Sequence, residues 1–322
     1  MIFIHKEPPS IRSLLVQQVF RRASVASGNG QMPHFLVRQY TRSILSANPP
    51  LHVRARMEVR SLKIAGYPVH ALIPKVQVCA HSILYLHGGS YLFTFTRQHW
   101  NFLARLAERT GSIIIAPDYP LAPSHTWAEA YRFLFDLHAV LGSMLPFGKS
   151  VLMGDSAGGG LALGFAMALR DRGLQLPASV VMLSPWLDVT LENPQIAEIQ
   201  ESDPMLNADS LRKAGRAWAG HSNPRRPEIS PIYGDARNLP PLSLFIGTSD
   251  ILLPDCRKFR NMCAARGVPL DYYEYEYMMH VWMLLPVDES KEAMDQIEGL
   301  VSTQAACLEP DAVRAFFAEE GR

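Results

Sequence analysis

The sequence predicts an α/β protein whose sheet is mostly parallel and doubly wound, with helices on both faces. Two observations predict this fold class. From about residue 82 onward, short apolar runs take turns with stretches of helical periodicity, a rhythm typical of parallel strands joined by crossover helices. In addition, an apolar run ends at Gly154-x-Ser156-x-Gly158 and a helical pattern begins directly after it. This arrangement predicts a sharp strand-to-helix turn.

The strand and helix patterns can be assigned in chain order. Residues 57–64 and 67–73 alternate on either side of Gly66 and predict an antiparallel hairpin. Six further runs predict buried strands, at 82–86, 112–116, 149–153, 179–183, 242–246 and 271–277. Helical patterns accompany them, at 97–109, 127–145, 161–169, 255–266 and 288–301. The expected sheet therefore has eight strands, the first pair antiparallel and the rest parallel.

Two segments fall outside this rhythm. Residues 1–55 carry helical patterns at 11–22 and 35–45 before any strand signal, and more than fifty residues separate Leu187 from Pro240. A structureless loop of that length is uncommon in a compact domain. We therefore expect one α/β domain over 56–322, with an insertion at about 188–239 that forms a helical cap together with residues 1–55. A last helix in 311–322, with Phe316 and Phe317, is expected to pack on the domain.

Composition and charge exclude several classes of partner. The 322 residues are 48 % hydrophobic and 19 % charged, and the net charge of +1 offers no attraction for nucleic acid. No apolar run is long enough to span a membrane, and the N-terminal run is too short for a signal peptide. We therefore expect a cytoplasmic protein without stable membrane insertion. The four cysteines have no metal-binding spacing, so neither a metal nor a cofactor is expected. The sequence leaves a homodimer open.

The turn at Ser156 carries the chemistry. A serine that projects its hydroxyl into a cleft from a sharp turn needs very small neighbours, which Gly154 and Gly158 provide. The helix that follows directs its free N–H groups and its positive dipole end toward the same place. A phosphate-binding turn is the alternative interpretation. The chain, however, contains neither the Gly-x-x-x-x-Gly-Lys-Ser/Thr nor the Gly-x-Gly-x-x-Gly spacing of phosphate-binding loops. The pattern therefore predicts Ser156 as a nucleophile.

A serine nucleophile needs a histidine base and an acid that orients it. On such a sheet the expected chain order is serine, acid, histidine, and only His221 and His280 follow Ser156. His280 comes directly after the last predicted strand, whereas His221 lies in the polar insertion, so His280 is the predicted base. Asp250 ends a buried strand and is the predicted acid. Asp255 stays open as a rival that would otherwise cap the following helix.

The negative oxygen of a tetrahedral intermediate needs N–H donors. Gly88 and Gly89 follow the predicted strand 82–86, and their backbone can approach a substrate closely. With Ala157, which follows the nucleophile, they form the predicted oxyanion hole. His87 precedes the nucleophile in the chain, so we expect it to brace this turn instead of acting as a base.

These motifs together resemble a known family. His87-Gly88-Gly89, Asp118-Tyr119-x-Leu121-Ala122-Pro123, Gly154-Asp155-Ser156-Ala157-Gly158-Gly159 and the late Asp250 and His280 are similar to the hormone-sensitive-lipase-like branch of the α/β-hydrolase fold. The resemblance spans roughly residues 85–282 and implies carboxylesterase or lipase activity, a Ser-Asp-His triad without a cofactor and a helical cap. The chain departs from the family pattern at Ser90, where a third glycine is common, and at Pro120 and Ser124.

The expected function is hydrolysis of short- to medium-chain carboxylic esters through an acyl-enzyme, on a small-molecule substrate. A cap over the nucleophile would bound the acyl pocket, which favours acyl groups of about two to eight carbons. An amidase or peptidase would use the same triad, and a binding protein on the same fold would keep the pocket but lose the base. The presence of His280 argues against the binding protein.

Overall fold

The computed structural model describes residues 1–25, 47–75, 82–142, 147–304 and 310–319, and it confirms the α/β class. Its sheet runs in the order β1-β9-β8-β7-β6-β4-β5-β3-β2. The strands are β1 Ile2–His5, β2 Met57–Ile64, β3 Tyr67–Pro74, β4 Ser82–Leu86, β5 Ile113–Pro117, β6 Ser150–Asp155, β7 Ser179–Leu183, β8 Leu242–Ser249 and β9 Leu270–Met279. Strand β3 is antiparallel to β2 and β5, and the other neighbours are parallel.

The helices alternate with the strands as the pattern predicts. They are α1 Ile11–Val25, α2 Leu51–Arg56, α3 Arg97–Thr110, α4 Trp127–Gly142, α5 Ala157–Asp171, α6 Ile196–Ile199, α7 Ala208–Ala219, α8 Leu253–Ala265, α9 Glu289–Gln304 and α10 Pro310–Glu319. The predicted helix at 35–45 lies outside the described residues. No helix within the described ranges is long and apolar enough to cross a membrane.

The sheet separates two hydrophobic cores because side chains of a strand alternate between its faces. Leu152 of β6 packs in one core, and its neighbours Val151 and Met153 pack in the other. Helices α4, α5 and α8 cover the first face, whereas α3 and α9 cover the second. This two-sided cover explains why the central strands are apolar throughout and carry no alternating pattern.

The sheet has nine described strands instead of the expected eight, because β1 joins it. Ile2–His5 pairs in parallel with β9, and the ring of Phe3 lies 6.0 Å from that of Tyr273 and 5.7 Å from that of Tyr275. Residues 1–55 were expected to supply helices to the cap, and Ile2–His5 is an edge strand of the sheet that this expectation did not include. Four residues are too few to show the alternation that identifies a strand, so the sequence pattern did not reveal β1.

The insertion, residues 188–239, contacts the main domain through several side chains, among them Trp218, Ser222 and Asp203. The ring of Trp218 on α7 stacks on Tyr91 after β4, with centroids 4.0 Å apart and planes 3° apart. Trp127 at the start of α4 donates from its ring N–H to the Ser222 hydroxyl over 3.0 Å. Asp203 accepts a hydrogen bond from the Ile251 N–H over 2.9 Å. The insertion thus touches loops at the carboxyl ends of β4 and β8.

The C-terminal helix α10 packs on the domain, as predicted. Val313 and Phe317 are buried in the first core, and Arg314 donates to Glu58 of β2 over 3.0 Å. This places α10 beside the antiparallel edge of the sheet.

The role of β1 can be tested by truncating one side chain on each of its faces. Phe3→Ala removes the ring that packs on β9 and should lower the free energy of unfolding by about 2 kcal/mol, because apolar contact is lost. Ile2 is 62 % exposed, so Ile2→Ala should change it by no more than about 0.5 kcal/mol. Urea unfolding followed by circular dichroism measures both. Equal losses in the two variants would show that β1 does not pack on the sheet as described.

Candidate active site

Ser156 lies at the junction of β6 and α5 in a strained backbone conformation. Its φ of 53° and ψ of −122° are costly for a residue with a side chain. The surroundings hold this conformation in place: the Ser156 N–H donates to Leu183 O over 2.8 Å, and its carbonyl accepts from the N–H of Trp186 over 2.9 Å and of Gly159 over 3.0 Å. The turn therefore fixes the Ser156 side chain independently of any bound molecule.

The two glycines that flank Ser156 are required by close backbone approach. A Cβ atom at Gly154 would lie 2.3 Å from the carbonyl oxygen of Gly158. A Cβ at Gly158 would lie 2.0 Å from the carbonyl oxygen of Leu86 at the end of β4. Neither position can hold a larger residue without displacing backbone, which accounts for the Gly-x-Ser-x-Gly pattern.

The structure brings His280 and Asp250 to Ser156. His280 follows β9 and its Nε2 lies 2.9 Å from Ser156 Oγ, while its Nδ1 lies 2.8 Å from Asp250 Oδ2. With the proton on Nδ1, the imidazole donates to Asp250 and accepts from the serine hydroxyl. Asp250 is fully buried and follows β8. The three side chains thus form one hydrogen-bonded chain from the carboxyl ends of β6, β8 and β9.

The two rival residues lie elsewhere. Asp255 is buried in the first turn of α8, where its Oδ1 accepts from Asn193 Nδ2 over 2.9 Å. Burial raises the pKa of its carboxyl to about 6. His221 is exposed in the turn after α7. The geometry therefore favours Asp250 and His280 over both of these.

The pKa of His280 reflects two opposed effects. Burial lowers the pKa of His280, but the charge of Asp250 and the hydrogen bond to Asp250 raise this pKa by more than burial lowers it. The pKa therefore lies above the ordinary value of 6.5. An imidazole that is protonated below this pKa cannot take a proton from Ser156. His280 can therefore act as a base only at pH values above its pKa.

The structure corrects the predicted oxyanion hole at Gly88. The Gly88 N–H donates to Asp155 Oδ1 over 2.9 Å, so it is occupied within the protein. By contrast, the N–H groups of Gly89, Ser90 and Ala157 make no hydrogen bond within the described parts of the chain. The Ser90 N–H is therefore available to a ligand, whereas the Gly88 N–H is not. The signal was the third glycine of the related motif, which falls at Ser90.

The turn after β4 has an unusual backbone. Gly89, Ser90 and Tyr91 have φ angles of +119°, +56° and +60° in succession. Positive φ is costly for Ser90 and Tyr91, and such strain clusters at ligand-binding turns. Oriented runs of free N–H groups of this kind make concavities that accept anions.

Asp155 and His87 brace this turn from behind. Asp155 is buried and accepts from the Tyr85 hydroxyl over 2.6 Å as well as from Gly88. Burial raises its pKa, but the neighbouring His99 and these donors outweigh burial, so the pKa lies below its ordinary value. His87 lies with its Nδ1 2.7 Å from Gly88 O, within hydrogen-bond distance, and stacks on Tyr119 with ring centroids 4.4 Å apart. His87 thus has the bracing position that the sequence predicted.

The described residues contain no cluster of three or more histidine, cysteine or acidic side chains that could hold a metal ion. The chemistry that the arrangement offers is nucleophilic attack by a serine, proton transfer through an imidazole and stabilisation of a negative oxygen by backbone N–H groups. This combination defines the class of Ser–His–Asp hydrolases.

Comparisons with known proteins narrow the class. A family model described as the alpha/beta hydrolase fold matches residues 83–284. LipR of Mycobacterium tuberculosis is 34 % identical over 265 residues, which cover 80 % of this chain and 84 % of LipR. An acetyl-hydrolase of Streptomyces hygroscopicus is 33 % identical over 208 residues, 62 % of this chain and 68 % of that protein. An esterase structure from the bacterial hormone-sensitive lipase family superposes with a TM-score of 0.80 at 28 % identity, over 92 % of this chain and 99 % of that one.

The chain belongs to the α/β-hydrolase fold family, as a carboxylic ester hydrolase of its hormone-sensitive-lipase-like branch. The resemblance seen in the sequence motifs is thereby confirmed.

The pH dependence of turnover tests the base. Because His280 must be neutral to accept a proton and its pKa is raised, kcat/KM should rise with pH through a midpoint above 6.5. Below this midpoint it should fall about tenfold per pH unit. The exposed His221 supplies the control: His221→Ala should keep both the rate and the midpoint, whereas His280→Ala should lose the rate. Loss of the midpoint in His221→Ala would reverse the choice.

Paired amide substitutions test the acid. Asp250→Asn keeps the shape but removes the charge that holds the His280 tautomer, so kcat should fall by on the order of 10⁴. Asp255→Asn should leave kcat within about threefold, because Asp255 contacts Asn193 and not His280. Steady-state kinetics at one alkaline pH measures both variants. A loss confined to Asp255→Asn would contradict the assignment.

Proposed function

We propose that the protein is a serine carboxylesterase that hydrolyses short- to medium-chain esters through an acyl-enzyme. One observation carries the proposal: the hydrogen-bonded chain Ser156–His280–Asp250 is buried beside three backbone N–H groups that the protein leaves without an acceptor in its described parts. Burial strengthens each of these interactions, since water screens them less.

Acylation would begin at the Ser156 hydroxyl. Oγ attacks the ester carbonyl carbon while His280 Nε2 takes its proton, and Asp250 stabilises the imidazolium that forms. The carbonyl oxygen becomes negatively charged and accepts from the N–H groups of Gly89, Ser90 and Ala157. When the tetrahedral intermediate collapses, the bond to the alcohol breaks and His280 gives its proton to the leaving alkoxide. The products of this half are the acyl-Ser156 ester and a free alcohol.

Deacylation repeats the same steps with water. His280 removes a proton from a water molecule as its oxygen attacks the acyl carbon, and the oxyanion accepts from the same three N–H groups. Collapse of this second intermediate returns the proton to Ser156 Oγ and releases the carboxylic acid. No cofactor is needed, since the net reaction is the addition of water across an ester bond.

Two alternatives use the same fold. An amidase or peptidase would protonate an amine leaving group, which the same imidazole can do. A binding protein would need the pocket but not an aligned base, and the 2.9 Å contact between His280 and Ser156 supports catalysis over binding alone. The structural neighbour from the hormone-sensitive lipase family is an esterase, which favours esters over amides.

The contacts of the insertion support a bounded acyl pocket. Tyr91, next to the free N–H groups, lies between Trp218 of the insertion and Trp186, with ring centroids 4.0 Å and 5.6 Å away. Ser156 is itself only 8 % exposed. Because these buried rings pack the insertion against the loop that carries the free N–H groups, a cap formed by residues 188–239 would limit the space above the nucleophile. We propose that the substrate is a small ester and that the protein hydrolyses it in the cytoplasm.

A chromogenic ester series from acetate to palmitate tests the activity and the pocket together. Each methylene buried in a bounded pocket adds about 0.8 kcal/mol until the chain no longer fits. The value of kcat/KM should therefore rise and then fall, with its maximum at about two to eight carbons. A steady rise to palmitate would contradict a bounded pocket.

The Ser156→Ala variant is the control for that series. It should reduce kcat by on the order of 10⁴ to 10⁶ for every ester, because the nucleophile is lost. Retention of a tenth of the parent kcat would exclude the serine mechanism.

A further inference from the structure

Asp203 is a buried titratable group that the mechanism above does not use. This carboxyl lies in the insertion, between α6 and α7, and is only 8 % exposed. Its Oδ1 accepts from the N–H groups of Met205 over 2.8 Å and Leu206 over 2.9 Å, so it closes its own loop. Its Oδ2 leaves that loop and accepts from the N–H of Ile251 over 2.9 Å.

The bond to Ile251 reaches the residue next to Asp250. The following N–H, that of Leu252, donates to Asp250 Oδ1 over 2.9 Å, and the N–H of Leu253 donates to Asp250 O over 3.0 Å. The three backbone N–H groups that follow Asp250 thus all donate hydrogen bonds. The first of them, that of Ile251, donates to the insertion. The loop that carries Asp250 is therefore hydrogen-bonded directly to a residue of the insertion.

A negative charge on Asp203 is unfavourable at this buried position. Burial and the neighbouring Asp250 raise the pKa of Asp203 to about 7. Two buried carboxylates side by side repel, but only a side chain with two acceptor oxygens can take the N–H groups of its own loop and of Ile251 together. A structural cap alone gives no reason for a carboxyl here.

The N-terminal helix braces the same loop. Arg21 of α1 donates to the carbonyl oxygens of Glu201 over 3.3 Å and Ser202 over 2.9 Å, directly before Asp203. Gln17, one turn earlier, donates to Tyr277 O over 2.9 Å, three residues before His280. Helix α1 therefore contacts both the Asp203 loop and the strand end that carries His280.

From this geometry we infer that Asp203 is a positioning residue: through Ile251 it holds the Asp250 loop, so the triad acid is set only when the insertion is docked. This inference rests on the proposed function. The groups that face Asp203 are Asp250 after β8, His280 after β9 and Arg21 on α1, which reaches the adjacent carbonyls. The negative charge of Asp203 also favours the protonated form of His280.

Asp203→Asn tests the inference with the size of the side chain kept. Its amide can still accept from Met205 or Leu206 but offers N–H groups toward Ile251, so the tether is lost. We expect kcat to fall about tenfold with KM within about twofold, because the acid is misplaced while the pocket is intact. The midpoint of the kcat/KM profile should move toward acid by about half a pH unit, since a charge that faces His280 is removed.

Asp209→Asn is the matched control. Asp209 lies on α7 of the same insertion, pairs with Arg212 and has an 81 % exposed side chain. It should keep the parent kcat and the parent midpoint. Circular dichroism at the assay temperature establishes that each variant is folded.

A second readout separates this inference from the proposed function. The low-field proton resonance of the His280 Nδ1–H, followed against pH in the folded protein, reports the Asp250 contact without any substrate. In Asp203→Asn it should weaken and titrate at lower pH. An unchanged resonance together with unchanged kcat would overturn the inference. Absence of ester turnover in the parent protein would overturn the proposed function, while the resonance would still decide the role of Asp203.

Discussion

The strained backbone of Ser156 is the constraint on which the rest of the site depends. A serine at φ 53° persists only because β6, β7 and α5 over-determine it through hydrogen bonds to Leu183 and Trp186. The same turn places the N–H of Ala157 at a helix start, and it forces glycine at positions 154 and 158 through backbone contacts. The central parallel sheet, with both faces covered, is what makes those contacts rigid.

Two carboxylates, Asp155 and Asp250, are buried around this turn, and each has its own hydrogen-bond donors. Asp155 is satisfied by Tyr85, Gly88 and His99, and it stabilises the turn that presents the free N–H groups. Asp250 is satisfied by His280 and by the Leu252 N–H, and it raises the pKa of the base. Each buried carboxylate thus has a partner whose position matters to the chemistry, as expected when buried charges are retained.

Much of the fold and most of the site follow from local patterns. Apolar runs and glycine spacing identify the central strands and Ser156, and chain order selects His280. Three features did not follow. Strand β1 is too short to show an alternating pattern. The hydrogen bond from the Gly88 N–H to Asp155 is not encoded in the pattern of the chain. Asp203 accepts a hydrogen bond from Ile251, which lies 48 residues away in the sequence. Each of these depends on tertiary contacts between distant segments, which spacing along the chain cannot report.

The central claim is that Ser156 forms a covalent bond to the acyl carbon during turnover. Incubation of the native protein with a fluorophosphonate, followed by intact mass measurement and peptide mapping, tests this claim directly because the reagent traps activated serines. We predict a single adduct, located on Ser156 and formed more slowly in the presence of a short-chain ester. An adduct on another residue, or none under conditions where the ester is hydrolysed, would contradict it.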